Sequence, residues 1–402
     1  MNLEDSPEEA AFRAEIRDWL GAHAPAFQVR EHIPIAEEVA LGRAWQARKA
    51  AAGYGAIHWS PEHGGRGASP VDLLVLLQEE GRYLLPVRAY ITTGLNLAMP
   101  TLFAHGEARQ VATFTRPTLE GRLLWCQLFS EPDAGSDLAG LRTRALRVED
   151  GWRINGEKVW TSYADHADWG ILVARSNPEF PKHAGLTFFV VDMRSPGIEI
   201  RPIKRLTGGS EFSQVLLTDV FIPDENRVGA PEAGWSVVMT TLSNERFNIG
   251  TKYRANTATV VRLAARTPLG GRPALQDPVI RDRIARLHAR ERAVRFFGYR
   301  MRTALQRGEP LDAKVAINKL VIPRLAQDTG DLAMEICGYP GLVEEADTDA
   351  DISKVRETYF LATAQRIAGG TDEIMRNQIA EKVLGLPQEQ RPDKGIPFDQ
   401  LK

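Results

Sequence analysis

Residues Leu124–Arg144 read LWCQLFSEPDAGSDLAGLRTR. The stretch opens as an almost wholly apolar run, Leu123 to Phe129, of a length and composition that fit a buried strand. It then breaks into Ser130-Glu131-Pro132-Asp133-Ala134-Gly135-Ser136-Asp137, small and hydroxyl-bearing residues with backbone N–H groups to spare. A loop of that kind can approach an anion closely and donate hydrogen bonds to it. The same residue types also build capped turns with no ligand at all. Both readings stay open on these residues alone.

The bulk of the chain narrows the setting. Its 402 residues exceed one ordinary domain, so two or three structural units are expected. Hydrophobic residues make up 43%, enough for sizeable cores. Fifty basic residues against 52 acidic ones leave a net charge of −2, a balance that suggests neither nucleic acid nor an acidic membrane surface as partner. Cys126 and Cys337 both stand in apolar contexts, so they read as core thiols of a reducing compartment, and their spacing fits no metal site. No apolar run approaches the ~20 residues that span a bilayer. The start, MNLEDSPEEAAF, is acidic and lacks the basic-then-apolar pattern of a signal peptide. A cytoplasmic protein is the expectation.

Periodicity divides the chain in three. In the first part Ser6, Pro7 and Glu9 form a helix start with a capping box, and Phe12, Ile16, Trp19 and Leu20 share one face. Further helices are expected over 36–52, 71–84 and 90–103. Between them His63 lies in a Gly-rich loop, where a lone histidine reads as structural or solvated. Near residue 121 the period becomes two. Trp152-Arg153-Ile154, then Asn155-Gly156, then Glu157–Trp160 predicts a β-hairpin turning at Asn-Gly. Strands are expected over 171–174, 186–191, 198–202 and 215–222. From Trp235 the helical period returns, over 239–265, 278–305, 311–334 and 353–368, which suggests a bundle. No GxGxxG follows a strand and no Walker-type loop is present, so a dinucleotide site of the Rossmann kind is not supported.

SEPDAGSDLAGLRTRA resembles the signature of the acyl-CoA dehydrogenase family, FAD enzymes that desaturate acyl thioesters. The order of helices, strands and helices is also that family's order, and the likeness covers nearly the whole chain. It implies an α+β multidomain fold: an N-terminal helical domain over 1–120, a β-barrel domain over 121–234 and a C-terminal four-helix bundle over 235–402. It further implies that FAD lies between the β domain and the bundle. On the opening stretch the matching positions are Gln127, Phe129, Ser130, Gly135 and Ser136. By that likeness Ser130 donates to the pyrimidine edge of the ring, and the Gly135-Ser136 backbone faces the pyrophosphate. Trp160-Thr161-Ser162 matches a tryptophan-containing flavin segment, in which the indole packs beside the ring and Ser162 bonds near N5. Without the likeness, Trp160 reads as core, since tryptophan is highly buried on average.

Ala368-Gly369-Gly370-Thr371-Asp372-Glu373 resembles the family's glycine–threonine segment, which implies cofactor contacts from Gly370, Thr371 and Glu373. As plain sequence it is a glycine helix stop followed by a cap for the next helix, and both readings can hold together. One feature departs from the family. Its Arg-x-x-Phe-Gly motif, which reaches a neighbouring subunit's FAD, is replaced here by Arg266-Thr267-Pro268-Leu269-Gly270-Gly271-Arg272, with no aromatic. Whether adenine contacts cross subunits is therefore left open by the resemblance.

The implied chemistry removes a proton alpha to a thioester carbonyl and passes hydride from the beta carbon to flavin N5. Such a site needs a carboxylate sheltered from water, because burial raises its pKa, by up to roughly 3–5 pH units when complete, and makes it a stronger base. It also needs donors for the carbonyl oxygen as enolate character develops. Most family members carry the base just before the Gly-Thr pair, where this chain has Gly369. A minority place it on the first bundle helix in a Glu-Arg pair, and Glu245-Arg246 matches that position. The helical neighbours of Glu245 are Thr241, Leu242, Asn248 and Ile249, none of them basic, so it lacks the ion pair that accounts for most surface glutamates. A solvated helix face is the competing reading. The resemblance makes Glu245 the base and Arg246 a substrate contact. Gly369 keeps one role, its backbone N–H donating to the thioester oxygen.

The resulting expectation is an acyl-CoA dehydrogenase of fatty-acid or lipid metabolism that hands electrons to an electron-transfer flavoprotein. A homodimer or homotetramer is expected, with a heteromer as the alternative. Two other readings of the same fold are a flavin oxidase or monooxygenase and a non-catalytic subunit of a heteromeric dehydrogenase. Gly369 leaves room beside the thioester, which points to a branched, cyclic or otherwise bulky acyl group.

Overall fold

In the computed structural model the chain is described over residues 4–29, 33–248, 255–307, 309, 315–343 and 349–401, with the side chains of 245–248, 305 and 315 outside that description. It divides into two compact units. One comprises Asp5–Asn248 with Gln390–Lys402; the other comprises Ile249–Glu389 with Met1–Glu4.

The first unit begins with helices whose starts are set by local chemistry. Ser6 caps Pro7–His23 and exchanges hydrogen bonds with Glu9, as its sequence pattern requires. Ser69 and Asp72 do the same for Pro70–Glu80. Ile35–Ala51 follows the expected span closely. The expected helix over 90–103 runs without a break over Ala89–Thr93, Gly94–Ala98 and Met99–His105, the middle part being wound wider. Gly94, where it widens, packs on the indole of Trp125, and a Cβ there would lie 2.6 Å from that ring. His63 stacks flat on Phe103, with ring centroids 3.9 Å apart, which is the structural role expected of it.

Eight strands follow: β1 Trp125–Leu128, β2 Arg144–Val148, β3 Gly151–Ser162, β4 Trp169–Arg175, β5 Leu186–Asp192, β6 Ile198–Ile203, β7 Phe212–Pro223 and β8 Arg227–Val228. They form one sheet in the order β6-β7-β3-β2-β4-β5-β8, with β1 parallel to β4. The sheet wraps a core that includes Leu128, Ile154, Leu172, Phe189, Val215 and Leu217, because alternate residues of each strand point inward.

The hairpin expected at Asn155-Gly156 is not there. β3 runs straight through both residues, and the two-residue turn is Glu149-Asp150, between the paired Val148 and Gly151. Asn155 instead faces an irregularity in β7, where Asp219 takes a left-handed backbone with φ 50°. The Asn155 side chain accepts the Asp219 N–H at 2.9 Å in place of a ladder bond. Gly156 serves close packing: a Cβ there would lie 2.4 Å from Thr143 Oγ1.

Helix Gly234–Asn248 belongs to the first unit by its contacts. Thr241 meets Thr101 at 2.8 Å and Thr240 meets His105 at 2.7 Å, tying it to Met99–His105. Of the single helix expected over 239–265, Gly234–Asn248 and Thr257–Arg266 are described, the second starting where the Asn256 side chain accepts the Thr259 N–H, and residues 249–254 lie outside the described residues.

The second unit is built on Pro278–Gln306, Val315–Cys337 and Ala350–Gln365 around Val260, Leu263, Ile284, Leu332, Ile336 and Val355. Gly330 lets two of these helices cross closely, since a Cβ there would sit 2.8 Å from Tyr359 Cα. Residues 268–273 form a short exposed hairpin, β9 Pro268–Leu269 and β10 Arg272–Pro273, turning at Gly270-Gly271. Both cysteines are buried free thiols. Among the described residues no helix is long and apolar enough to cross a membrane.

Candidate active site

β1 delivers the SEPDAGSD loop. Gln127 is half-buried on β1, and the buried Phe129 meets Phe188 edge to face, with ring centroids 5.8 Å apart. The loop then closes on itself, as Glu131 and Ala134 exchange backbone hydrogen bonds of 3.0 and 3.1 Å. The Glu131 carboxylate is buried. It accepts the N–H groups of Arg142 at 2.6 Å and Thr143 at 2.9 Å, and the Lys158 ammonium at 2.8 Å. Burial alone would raise its pKa, but Lys158 and these donors together hold it below the ordinary carboxylate value. Burial pulls the Lys158 ammonium down to about 8 against the opposing pull of Glu131. Further on, Gly135 and Ser136 are exposed, and a Cβ built at Gly135 would meet nothing within 4 Å. The loop is thus a closed turn at its base, as the capped-turn reading has it, and an open backbone ledge at its tip.

The Trp160 segment stands beside it. Val159 N–H donates to Ser130 O at 2.9 Å, which joins β3 to the loop. Between Lys158 and Thr161, β3 carries two residues against one on β7. That bulge re-aims the chain. Trp160 takes a left-handed backbone with φ 59° and remains 59% exposed, touched edge-on by Phe212. It is not a core residue. A bulky side chain in this backbone region marks strain that the surroundings must sustain. Thr161 is 1% exposed, and its Oγ1 has no hydrogen-bond partner among the described residues. Ser162 is half-buried. Tyr163, also left-handed at φ 53°, is buried edge-on against Tyr90. An exposed indole held out by strain, a half-buried Ser130 beside it, an orphaned hydroxyl behind it and an open Gly135-Ser136 ledge fit a planar ring system that ends in phosphate. FAD is such a group.

In the second unit Gly369 and Gly370 both have positive φ, 64° and 97°, a turn that glycine permits at little cost. Gly369 is exposed, and its N–H makes no hydrogen bond to another described residue. The turn is pinned from beneath by the buried Lys319, which donates to Gln365 O at 2.6 Å and Gly370 O at 2.9 Å. Thr371 caps the helix Asp372–Gln378 by accepting the Ile374 N–H, so the capping reading holds and its hydroxyl hydrogen is still available to donate. Buried Asp372 pairs with Arg366 at 2.6 Å, whereas Glu373 is exposed near Arg376.

Glu245 and Arg246 lie on the last turn of Gly234–Asn248, one turn after Thr241, but their side chains fall outside the described residues. The expected residues are therefore brought together in two groups. Gln127, Phe129, Ser130, Gly135, Ser136 and Trp160–Ser162 gather in the first unit. Gly369, Gly370, Thr371 and Glu373 gather in the second. Sequence reading missed the buried Glu131–Lys158 pair and Lys319. The signal for Lys158 was its place at an inward position of a strand, where a lysine needs a partner.

Residues 6–122, 126–220 and 232–384 match the N-terminal, middle and C-terminal domains of acyl-CoA dehydrogenase, in that order. The acyl-CoA dehydrogenase IpdE1 of Mycobacterium tuberculosis is 37% identical over 391 residues, covering 94% of this chain and 98% of that one. FadE34 of the same organism, an acyl-CoA dehydrogenase, is 41% identical over 334 residues. That match covers 83% of this chain but only 44% of FadE34, so the chain spans under half its length. Among solved structures, the Tcur3481-Tcur3483 steroid ACAD superposes with a TM-score of 0.80 at 26% identity, over 97% of this chain and all of that one. Three family domains in sequence, and a relative 37% identical along nearly its whole length, place this chain in the acyl-CoA dehydrogenase family of FAD-dependent oxidoreductases that act on acyl-CoA.

Proposed function

We propose that the protein dehydrogenates an acyl-CoA thioester across its Cα–Cβ bond, on domains spanning 1–120, 121–234 and 235–402. The observation that carries this reading is the edge made by Ser130 and the strained, exposed Trp160. Gln127, Phe129, Ser130, Trp160, Thr161 and Ser162 would hold the flavin ring, and the Gly135 and Ser136 N–H groups its pyrophosphate. By the same resemblance Gly370, Thr371 and Glu373 would contact the cofactor. When bound, FAD supplies the hydride acceptor.

The chain's own residues do the rest. The Glu245 carboxylate takes the alpha proton. The Gly369 N–H donates to the thioester oxygen, which gains negative charge as that proton leaves. The left-handed, exposed backbone at Gly369 supports that role, since it leaves the N–H available. Arg246 contacts the substrate. An electron-transfer flavoprotein is the proposed acceptor, the compartment the cytoplasm, and the assembly a homodimer, a homotetramer or a heteromer. For the acyl part we propose a branched or polycyclic group. Two facts support this: glycine replaces a carboxylate at 369, and the chain is similar to a steroid ACAD.

Anaerobic titration of the purified protein with straight, branched and polycyclic acyl-CoA thioesters tests both points. Bleaching of the flavin band is expected with the bulky thioesters. Bleaching by short straight chains alone would refute the substrate class. Glu245→Gln should keep its FAD and lose nearly all turnover; an active yellow variant would refute the base.

A further inference from the structure

We infer that Lys158 is a positioning residue for the cofactor: its buried ammonium fixes Ser130 and Trp160 in the geometry that receives the flavin ring. The inference rests on the reading that those two residues hold the ring. Lys158 is 0% exposed. Its inward neighbours on the same face of the sheet, Ile154, Val215 and Leu217, are apolar, so filling the core does not call for a cation. Burying one costs free energy unless it is paired and hydrogen-bonded.

The connections made by Lys158 give the cation a purpose that a methionine could not serve. Its Nζ donates to Phe129 O at 3.0 Å and to Glu131 Oε1 at 2.8 Å. These are the residues on either side of Ser130. The next residue along β3, Val159, donates its N–H to Ser130 O at 2.9 Å. Ser130 is thus held through both neighbours and through its own carbonyl. On the other side, the bulge that turns Trp160 outward begins at Lys158 itself. One ammonium is therefore common to both segments, and it fixes the spacing between hydroxyl and indole. Glu131 extends the clamp to Arg142 and Thr143, beyond the Gly135-Ser136 ledge.

The test uses the full chain with Glu131→Gln alone and with the pair Glu131→Gln/Lys158→Met. Glutamine keeps one of the two acceptor oxygens, so either the Arg142 or the Thr143 N–H is left facing an amide NH2, while the neutral pair leaves no buried charge unpaired. Three quantities are read: thermal melting of the flavin-free protein, FAD affinity by titration, and the visible absorption and circular dichroism of the bound flavin. The double variant should melt somewhat below wild type, because one buried N–H loses its acceptor, and should in addition bind FAD at least roughly tenfold more weakly, the scale of a lost charge-assisted hydrogen bond. Its flavin spectrum should also be shifted. A merely structural pair would move the melt and leave affinity and spectrum as they are, which overturns the inference. If the double variant does not fold, Glu131→Gln decides: a several-fold loss of FAD affinity is expected, and wild-type binding overturns the inference. Ser130→Ala and Trp160→Ala separate the two levels. If neither alters FAD affinity or spectrum, the flavin reading is wrong and the inference falls with it; if both do while the Lys158 variants do not, only the inference fails.

Discussion

Trp160 shows what an indole gives up in stability when it is held out of the core. Trp45, fully buried, earns its place by packing, and truncating it to alanine should cost about 3–5 kcal/mol. Trp160 is 59% exposed and sits at φ 59°, where a side chain is disfavoured. Trp160→Gly should therefore leave the flavin-free protein at least as stable as wild type, by up to about 1 kcal/mol. It should also weaken FAD. Equilibrium denaturation of the flavin-free proteins checks the first point, and a large destabilisation would show that the indole is packed for stability. At this scale Trp160 was legible only through resemblance. A tryptophan followed by two hydroxyl residues reads as core, and nothing local announces the bulge that turns it out. The inward place of Lys158 on a strand was a legible signal, but the identity of its partner was not, since Glu131 lies 27 residues away on another segment.

Among the elements, the starts of helices were the most legible, because Ser6 with Glu9 and Ser69 with Asp72 are self-contained chemistry. The Asn155-Gly156 turn was misread because a register shift in a distant strand, β7, decided the outcome. Helix-to-helix electrostatics is equally non-local. Glu79, at the end of Pro70–Glu80, accepts from Arg17 and Arg13 of Pro7–His23 and from Arg82. Arg17 first, then Arg82 and Arg13, hold its carboxyl well below its ordinary value, at about 2, against the opposing effect of burial. A carboxylate depressed in the folded state stabilises fully above its unfolded pKa, near 4.5, and that contribution is lost as pH falls toward 2. Melting temperature measured across that window should fall more shallowly in Glu79→Gln than in wild type, with the variant less stable at neutral pH. Parallel acid limbs would refute the linkage.

For the whole molecule, the three-part order of helices, strands and helices was plain from the period of apolar residues, and the family models match in that order. The division by contacts is less plain, because the first unit is discontinuous. Its closing segment runs back along the β unit: Phe398 N–H donates to Phe180 O at 2.9 Å, Asp399 N–H to Pro178 O at 3.0 Å, and Asp393 pairs with Lys182, which also holds Asp137 of the SEPDAGSD loop. The Phe398 ring lies 3.5 Å beneath the buried Arg175 guanidinium. Phe398→Ala should cost about 1–2 kcal/mol in denaturant titration, the worth of a desolvated cation–π contact with its packing. An unchanged midpoint would show the ring to be incidental. The strap also ties maturation to the order of synthesis. Domains tend to fold as they emerge, N-terminal first. Here the β unit leaves the ribosome without its last stretch, and the intervening 249–389 must be translated before Phe398 can slide beneath Arg175. A nascent chain halted within the helical unit would carry Lys182 without Asp393 and the Arg175 guanidinium uncovered by Phe398, while Lys182–Asp137 and the bonds from Arg175 to Ala139 O and Leu141 O already hold the SEPDAGSD loop.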